Sequence, residues 1–585
     1  MPLTIGHEAE VAALVLAATR LHRSGDHVDA ERTYLRALAI DPGHRAALNN
    51  LGTLYTALGE RDKALAVFRR FAARHGDDPV ALLGLGRALV VDGHPAEARS
   101  VLERAASIAP AAADVHNALG IARNAGGDRD GAIAAFRRAL EQRPDFIEAL
   151  SNLVDACLEG NRFDEAIDAT NRLLERFPGH AGATFKKGYA LALMGAFGEA
   201  RALTLDVLRI HPGHAPAHNN LGAIASWQND HAAAIGHFEE ALRHDRSFWD
   251  AELGLAHSLL ALGDYARGWQ HYEARPAGIH RKSDRRGLPG RLWQGEALPG
   301  KTLLVHGEAG LGDVLQFCRL VPIARQRVGR LVLYLQPYFT PLARILQSLD
   351  GVDAIATTAD AVEDCEACVS VMSLPRLCGG DLARAPTPIP YLRVTAELDD
   401  AWRRAVAQGT NLRVGLAWSG SPRLGNVQAN VIDRRRSLPL PMLAPLFEVP
   451  DVDWYSLQMG DAASDPAHAP FAARITDLTA DIGDFADTGA LIQQLDLVIS
   501  VDTSVLHLAC ALAKPTWMPN RFDSCWRWGL DRSDAPWYPT LRIFRQRTFG
   551  DWAPVVADIA EALARAAAQH DGRAAAAASP QPAMT

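Results

Sequence analysis

The chain has 585 residues, 48% hydrophobic and 22% charged, with a formal net charge of −8; this is ordinary globular composition, long enough for several domains. No segment shows the strong basic excess of a nucleic-acid-binding domain, and no apolar run approaches the roughly 18–20 residues of a membrane helix. The start lacks the basic, apolar and small-residue succession of a secretion signal, and the seven cysteines are scattered, so a reducing cytoplasm is the expected location. Cys365-Glu-Ala-Cys368 is a single C-x-x-C without a second pair and reads as neighbouring thiols rather than a metal or redox site.

From the start of the chain, small residues recur with a period of 34. Gly52, Gly86, Gly120, Gly188 and Gly222 lie on one lattice. Ala30, Ala64, Ala98, Ala132, Ala166, Ala200 and Ala234 lie on a second, and Pro144, Pro178 and Pro212 on a third. A small residue lets two helices approach closely, and the proline stops the second helix. This is the tetratricopeptide (TPR) pattern, with eight units over residues 1–275, the first and last atypical. Such a stack is a superhelix with a long concave groove, for which a protein is the expected ligand. Asn50, Asn152 and Asn220 occupy one lattice position on the first helices. Amides there either grip the backbone of an extended peptide or satisfy backbone groups between repeats. They resemble the asparagine ladder of the O-GlcNAc transferase groove, interrupted here at Gly84, Ala118, Lys186 and Gly254.

Residues 276–300 read as a linker. Its basic cluster, Arg281-Lys282 with Arg285-Arg286, reads as solvated surface. Strands then alternate with helical stretches, which implies parallel doubly wound sheets. A first α/β unit, 301–405, has strands at Thr302–Val305, Leu331–Leu335, Ala354–Ile355 and Ala367–Val371. A second, 406–568, has strands at Leu412–Ala417, Asp453–Leu457, Leu497–Ser500 and Lys514–Met518. The Ala- and Pro-rich tail, 569–585, is expected to be disordered. In the first unit His306-Gly-Glu-Ala-Gly-Leu-Gly-Asp313 joins the first strand to a helix expected over Asp313–Arg327. Strand, glycine-rich turn and helix is the layout that admits a ligand at the carboxyl end of a parallel sheet. Asp313 there is either a helix cap or a group aimed at a ligand. In the second unit the helix expected near Ser504 offers free N–H groups at Thr503, Ser504 and Val505, a good site for an anion.

The motifs Gly310-Leu-Gly-Asp-Val-Leu-Gln316, Arg434-Arg-Arg-Ser-Leu-Pro439, Asp484-Phe-Ala-Asp-Thr488, Leu497-Val-Ile-Ser-Val-Asp-Thr503 and Trp526-Arg-Trp528 with Trp537-Tyr-Pro539 resemble those of the heptosyltransferase-related part of bacterial TPR glycosyltransferases. Those enzymes have the GT-B fold, two facing doubly wound units, and the nearest of them modify flagellin. The resemblance implies a protein O-glycosyltransferase: an N-terminal TPR α-solenoid delivers Ser or Thr hydroxyls of an acceptor, flagellin for example, to a cleft holding a CMP-nonulosonate or UDP-sugar. No cofactor or metal is implied. Asp313 matches the family base, with His306 as a second candidate. Donor contacts would come from Ser419, Gly420 and Gln458 at strand ends, from Arg436 as phosphate clamp, and from Asp502, Thr503, Ser504 and His507. Arg436 is alternatively part of a solvated charge run, and His507 a core histidine. The loop Met518-Pro-Asn-Arg-Phe-Asp-Ser-Cys525 replaces an apolar run of the relatives. It keeps open a second reading, a non-catalytic adaptor. A transferase acting on lipopolysaccharide core sugars is a third. An oligomer is compatible with the array.

Overall fold

The computed structural model describes residues 5–275, 288–362, 364–379, 388–406, 409–423, 425–465, 470–471 and 473–578. The basic cluster at 281–286 and residues 579–585 lie outside them. By contacts the chain divides into two compact units, Met1–Ile210 and His211–Thr585.

The first unit is twelve helices, from Ile5–Arg23 to Phe197–Ile210, in antiparallel pairs. The glycine lattice does what the spacing predicts. A Cβ on Gly52 would stand 2.7 Å from the Phe68 ring, and one on Gly120 2.5 Å from Phe136; only glycine lets the aromatic side chain of the second helix seat against the first. A further lattice of the same period emerges from the backbone. Gly25, Gly59, Gly93, Gly127, Gly195 and Gly263 have φ between 75° and 89°, with Asn161 at 58° and Asn229 at 63° filling the two gaps. This is the left-handed turn that ends the first helix of each pair, open to glycine and tolerated by asparagine. The second helices stop at Gln142, Arg176 and Ile210, two residues ahead of the three lattice prolines.

The second unit opens with four more helices, Ala215–Trp227, His231–His244, Trp249–Ala261 and Tyr265–Tyr272, which complete sixteen. The last two repeats thus fall in one compact unit with the α/β part. Trp269 is the anchor. It lies 2% exposed, with ring centroids 5.2 Å from Trp526 and 6.0 Å from Phe317, both edge-on.

Among the described residues eleven strands follow: β1 Arg291–Leu292, β2 Leu298–His306, β3 Val328–Tyr334, β4 Ala354–Ala356, β5 Ala367–Ser370, β6 Leu412–Ala417, β7 Val452–Ser456, β8 Ile475–Thr476, β9 Leu497–Ser500, β10 Thr516–Asn520 and β11 Leu541–Arg545. They form two sheets, of order β1-β5-β2-β3-β4 and β11-β10-β9-β6-β7-β8, and every pairing is parallel. Their central strands are buried apolar runs, as parallel sheets covered on both faces require. In the second sheet the chain starts at β6, moves out through β7 and β8, then returns to β9 and runs the other way. That reversal is a topological switch point of an open parallel sheet. The first sheet reverses in the same way between β2 and β5.

Two expectations are corrected. The single helix over Asp313–Arg327 is two short ones, Leu311–Phe317 and Val321–Arg325, with a 3₁₀ turn between them. Pro322 lacks the N–H and the ring clearance to continue the first. The tail is not irregular from 569: a helix runs over Ala553–Ala578, where the many alanines, the best helix formers, outweigh the single interior glycine, Gly572.

Candidate functional site

The carboxyl ends of β6 and β9 flank the switch point of the second sheet. After β6 the chain turns through Trp418-Ser419-Gly420, and Gln458 shapes this turn. Its Oε1 accepts from the N–H of Trp418 (3.0 Å) and of Ser419 (2.8 Å), while its Nε2 donates to the Met459 carbonyl (3.1 Å). The Ser437 hydroxyl accepts from the Gly420 N–H at 3.0 Å. A Cβ on Gly420 would collide with Asp433 and Arg436, so the glycine is what lets that pair lie against the turn.

The basic run Arg434–Arg436 closes the helix Val427–Arg436, and its three members differ. Arg434 is exposed. Arg435 pairs with buried Asp523 at 2.8 Å and lies over the Trp227 ring, 4.6 Å from its centroid. Arg436 is held by Asp433 (3.0 and 2.7 Å) and donates to the Asp502 carbonyl at 2.6 Å. Its guanidinium is thus fixed at the end of β9, partly open.

After β9, Asp502 and Thr503 lead into the helix Ser504–Ala511. Thr503 is its N-cap but makes no side-chain cap bond; its hydroxyl lies 3.2 Å from that of Ser500. His507 sits one turn in, 5% exposed. Its Nδ1 lies 3.0 Å from the Tyr538 hydroxyl and its Nε2 3.8 Å from Asp502, and its ring stacks on Trp528. Burial holds it down to about pH 4 against the pull of Asp502, so it is neutral at pH 7. For Asp502, burial pushes the carboxyl up, but His507 and Arg436 outweigh it and leave it below its ordinary range. His507 is thus a buried imidazole set among Trp528, Tyr538 and Asp502.

The glycine turn of the first sheet meets this helix end. A Cβ on Gly312 would lie 2.8 Å from the His507 ring and 3.4 Å from the Ser504 Cα. Asp313 and Ser504 thus share one locality. Ala309, just before, holds φ 66°, a left-handed backbone that costs a non-glycine residue about 1 kcal/mol or more. Asp313 is the third residue of the helix Leu311–Phe317. One carboxylate oxygen accepts from the Gly310 N–H at 2.9 Å and the other pairs with Arg527. Arg527 also donates to Gln316 Oε1 at 2.5 Å, and Arg423 approaches from the turn after β6, 3.4 Å from where a Gly310 Cβ would be. Sequence reading missed both arginines as site residues. Arg527 was visible as the centre of Trp526-Arg-Trp528; Arg423 had no signal.

The remaining expected residues lie at the end of β2 and on the first helices of the repeats. His306, second candidate for the base, is 4% exposed at the end of β2, with Nδ1 beside the Gly307 carbonyl at 3.1 Å. Asn50 and Asn152 bond to neighbouring repeats. Asn50 Nδ2 reaches Thr19 at 3.3 Å, and Asn152 Nδ2 reaches Asn117 at 2.9 Å, which reaches Glu148 at 3.3 Å. Asn220 is 3% exposed. For Asn50 and Asn152 these side-chain partners, 31–35 residues away, tie one first helix to the next.

The tetratricopeptide repeat family matches at residues 21–79 and 124–187, and a second form of the same repeat at 83–145 and 224–277. The chain is 27% identical to Protein FlbA of Caulobacter vibrioides over 94% of its own length and 83% of that protein's. Among solved structures it is similar to MamA (26% identity, 28% of this chain and 94% of that one, TM-score 0.26) and to TTC0263, a thermophilic TPR protein of Thermus thermophilus (26%, 31% and 98%, TM-score 0.27). The first part of the chain is thus a TPR array, of a kind that typically mediates protein–protein interaction, and parallel sheets follow it. Among the described residues no helix is long and apolar enough to cross a membrane.

Proposed function

We propose that the chain is a GT-B protein O-glycosyltransferase whose nucleotide-sugar donor lodges at the switch point between β6 and β9. The observation that carries the reading is the meeting of the Gly310–Asp313 turn with the N-terminus of the helix Ser504–Ala511. It brings a carboxylate and an anion-binding helix end into one place, flanked by Arg436. The departing nucleotide phosphate would face the N–H groups of Ser504 and Val505 and the guanidinium of Arg436, which stabilise the charge that develops as the glycosidic bond breaks. Ser419 and Gly420 lie where the nucleoside would be held. Asp313 would take the proton of the acceptor hydroxyl. Its two oxygens each keep a lone pair beyond the bonds to Gly310 and Arg527, and those bonds fix the carboxylate in place. Arg527 joins the site as the group that orients it.

The altered loop 518–525 fits this reading. Its charges are spent on structure: Arg521 and Arg435 both lie 2.8 Å from Asp523, and the Phe522 carbonyl accepts from Asn229 of the seventh repeat at 2.9 Å. The acceptor protein would be captured by the TPR array, with flagellin the candidate that the family resemblance implies. Intact mass of flagellin from cells carrying the wild-type gene, no gene, or Asp313→Ala tests the reading. A sugar-sized mass present only with the wild type supports it. A mass that survives Asp313→Ala removes Asp313 from the mechanism, and no mass in any strain favours an adaptor.

A further inference from the structure

The seventh repeat carries a cluster that glycosyl transfer does not use. His218 stands in the first turn of the helix Ala215–Trp227, and Glu240 and His244 lie four residues apart at the end of the helix His231–His244, so they share a face. Ligand atoms of all three lie within 4.8 Å of one another. The His218 and His244 rings stack, 5.6 Å between centroids and 15° between planes. His244 Nε2 is 3.3 Å from Glu240 Oε1, already the edge of a tetrahedron with metal–ligand bonds of about 2.0–2.1 Å.

His218 supplies the decisive detail. Its Nε2 lies 2.9 Å from the Pro212 carbonyl. A carbonyl only accepts, so Nε2 carries the proton and Nδ1 is left as a lone pair. That Nδ1 is buried and has no hydrogen-bond partner. An imidazole whose N–H is held by a backbone carbonyl, with its other nitrogen bare, is oriented as metal-binding histidines are. At His244 a cation already mediates: Arg243 pairs with Glu240 and reaches His244 Nε2 at 3.0 Å. The pair is exposed, so little is lost when the guanidinium swings away.

We propose that His218, Glu240 and His244 bind a borderline divalent cation, zinc foremost, and that the ion clamps the two helices of the seventh repeat at their open end. Two imidazoles and one carboxylate select zinc or nickel over magnesium or calcium, which prefer oxygen donors. The test uses the metal-stripped, tag-free full chain titrated with Zn²⁺ alone, read by calorimetry and by Tm. One equivalent should bind and raise Tm. His218→Ala, and the surface variant Glu240→Gln, should lower affinity at least about tenfold, whereas Arg243→Ala should tighten binding by removing the competing cation. An absence of zinc binding, unchanged affinity in both ligand variants, or equal binding of Mg²⁺ would overturn the proposal.

Discussion

Asp313 does two jobs that a substitution can separate. As third residue of its helix it accepts the Gly310 N–H, a contact worth about 1 kcal/mol; as base it would need its charge. Asp313→Asn keeps an oxygen for Gly310, turns an amide N–H toward Arg527 in place of the paired oxygen, and removes the proton acceptor. The expected outcome is a folded chain with a Tm lowered by loss of the Arg527 pair and a transfer rate lower by about 10²–10⁴, read by unfolding scans and by acceptor mass. His507 sets a second prediction. Its pKa falls from an ordinary 6.5 to about 4 in the folded chain, so the unfolded state binds the extra proton between those values. Stability is full above pH 6.5, falls as pH drops to 4, and then levels off for this group, with a total loss of about 3 kcal/mol. His257 is likewise held near 4 by burial and acts in the same window. Asp502, held low, adds its loss only below the ordinary carboxylate range. Tm measured from pH 7 to 4 should slope downward, and His507→Phe, which keeps a ring on Trp528, should flatten the slope.

At the scale of elements, the periodic half was legible because each repeat writes its packing into fixed positions. Gly120→Val should cost about 1–3 kcal/mol by overpacking against Phe136, measured by denaturant unfolding. Gly127→Ala, with φ 83° and open space around it, should cost only the strain of a left-handed alanine, about 1–2 kcal/mol. The α/β half was legible where a strand is a buried apolar run, as at Leu497–Ser500. It was silent at β1 and β8, two residues each, which have no room for a pattern. The helix Val427–Arg436 was missed because its polar residues do not keep to one face, and only Asn426 marks its start. Of the candidate site, the glycine turn and the Thr503–Ser504 end could be read, since backbone approach and helix starts depend on local residue type. The fates of Arg435, Arg527 and His507 could not. Each is decided by a partner far along the chain: Trp227, Asp313 and Tyr538.

For the whole molecule the question is where the chain can be cut. A repeat array followed by a linker invites a boundary near 275, yet the contacts divide it at Ile210. Trp269 and Tyr272 of the last repeat share one apolar cluster with Trp293, Phe317, Trp526 and Trp537. An aromatic side chain buries about 150–250 Å², and losing a tryptophan from such a site costs about 3–5 kcal/mol, a large part of a domain's 5–15 kcal/mol. A fragment starting at 276 would uncover Phe317 and Trp526 together. It should express as aggregate or as a species that binds a hydrophobic dye. A fragment starting at 211 keeps that cluster and the Asn229–Phe522 contact, and should be monodisperse with a cooperative thermal transition. Trp269→Ala in the full chain should lower the transition of the second unit while leaving helices before Ile210 to melt as in wild type, followed by hydrogen exchange along the chain. A well-folded 276–585 fragment would place the boundary back at the linker and reduce the last two repeats to neighbours of the α/β part.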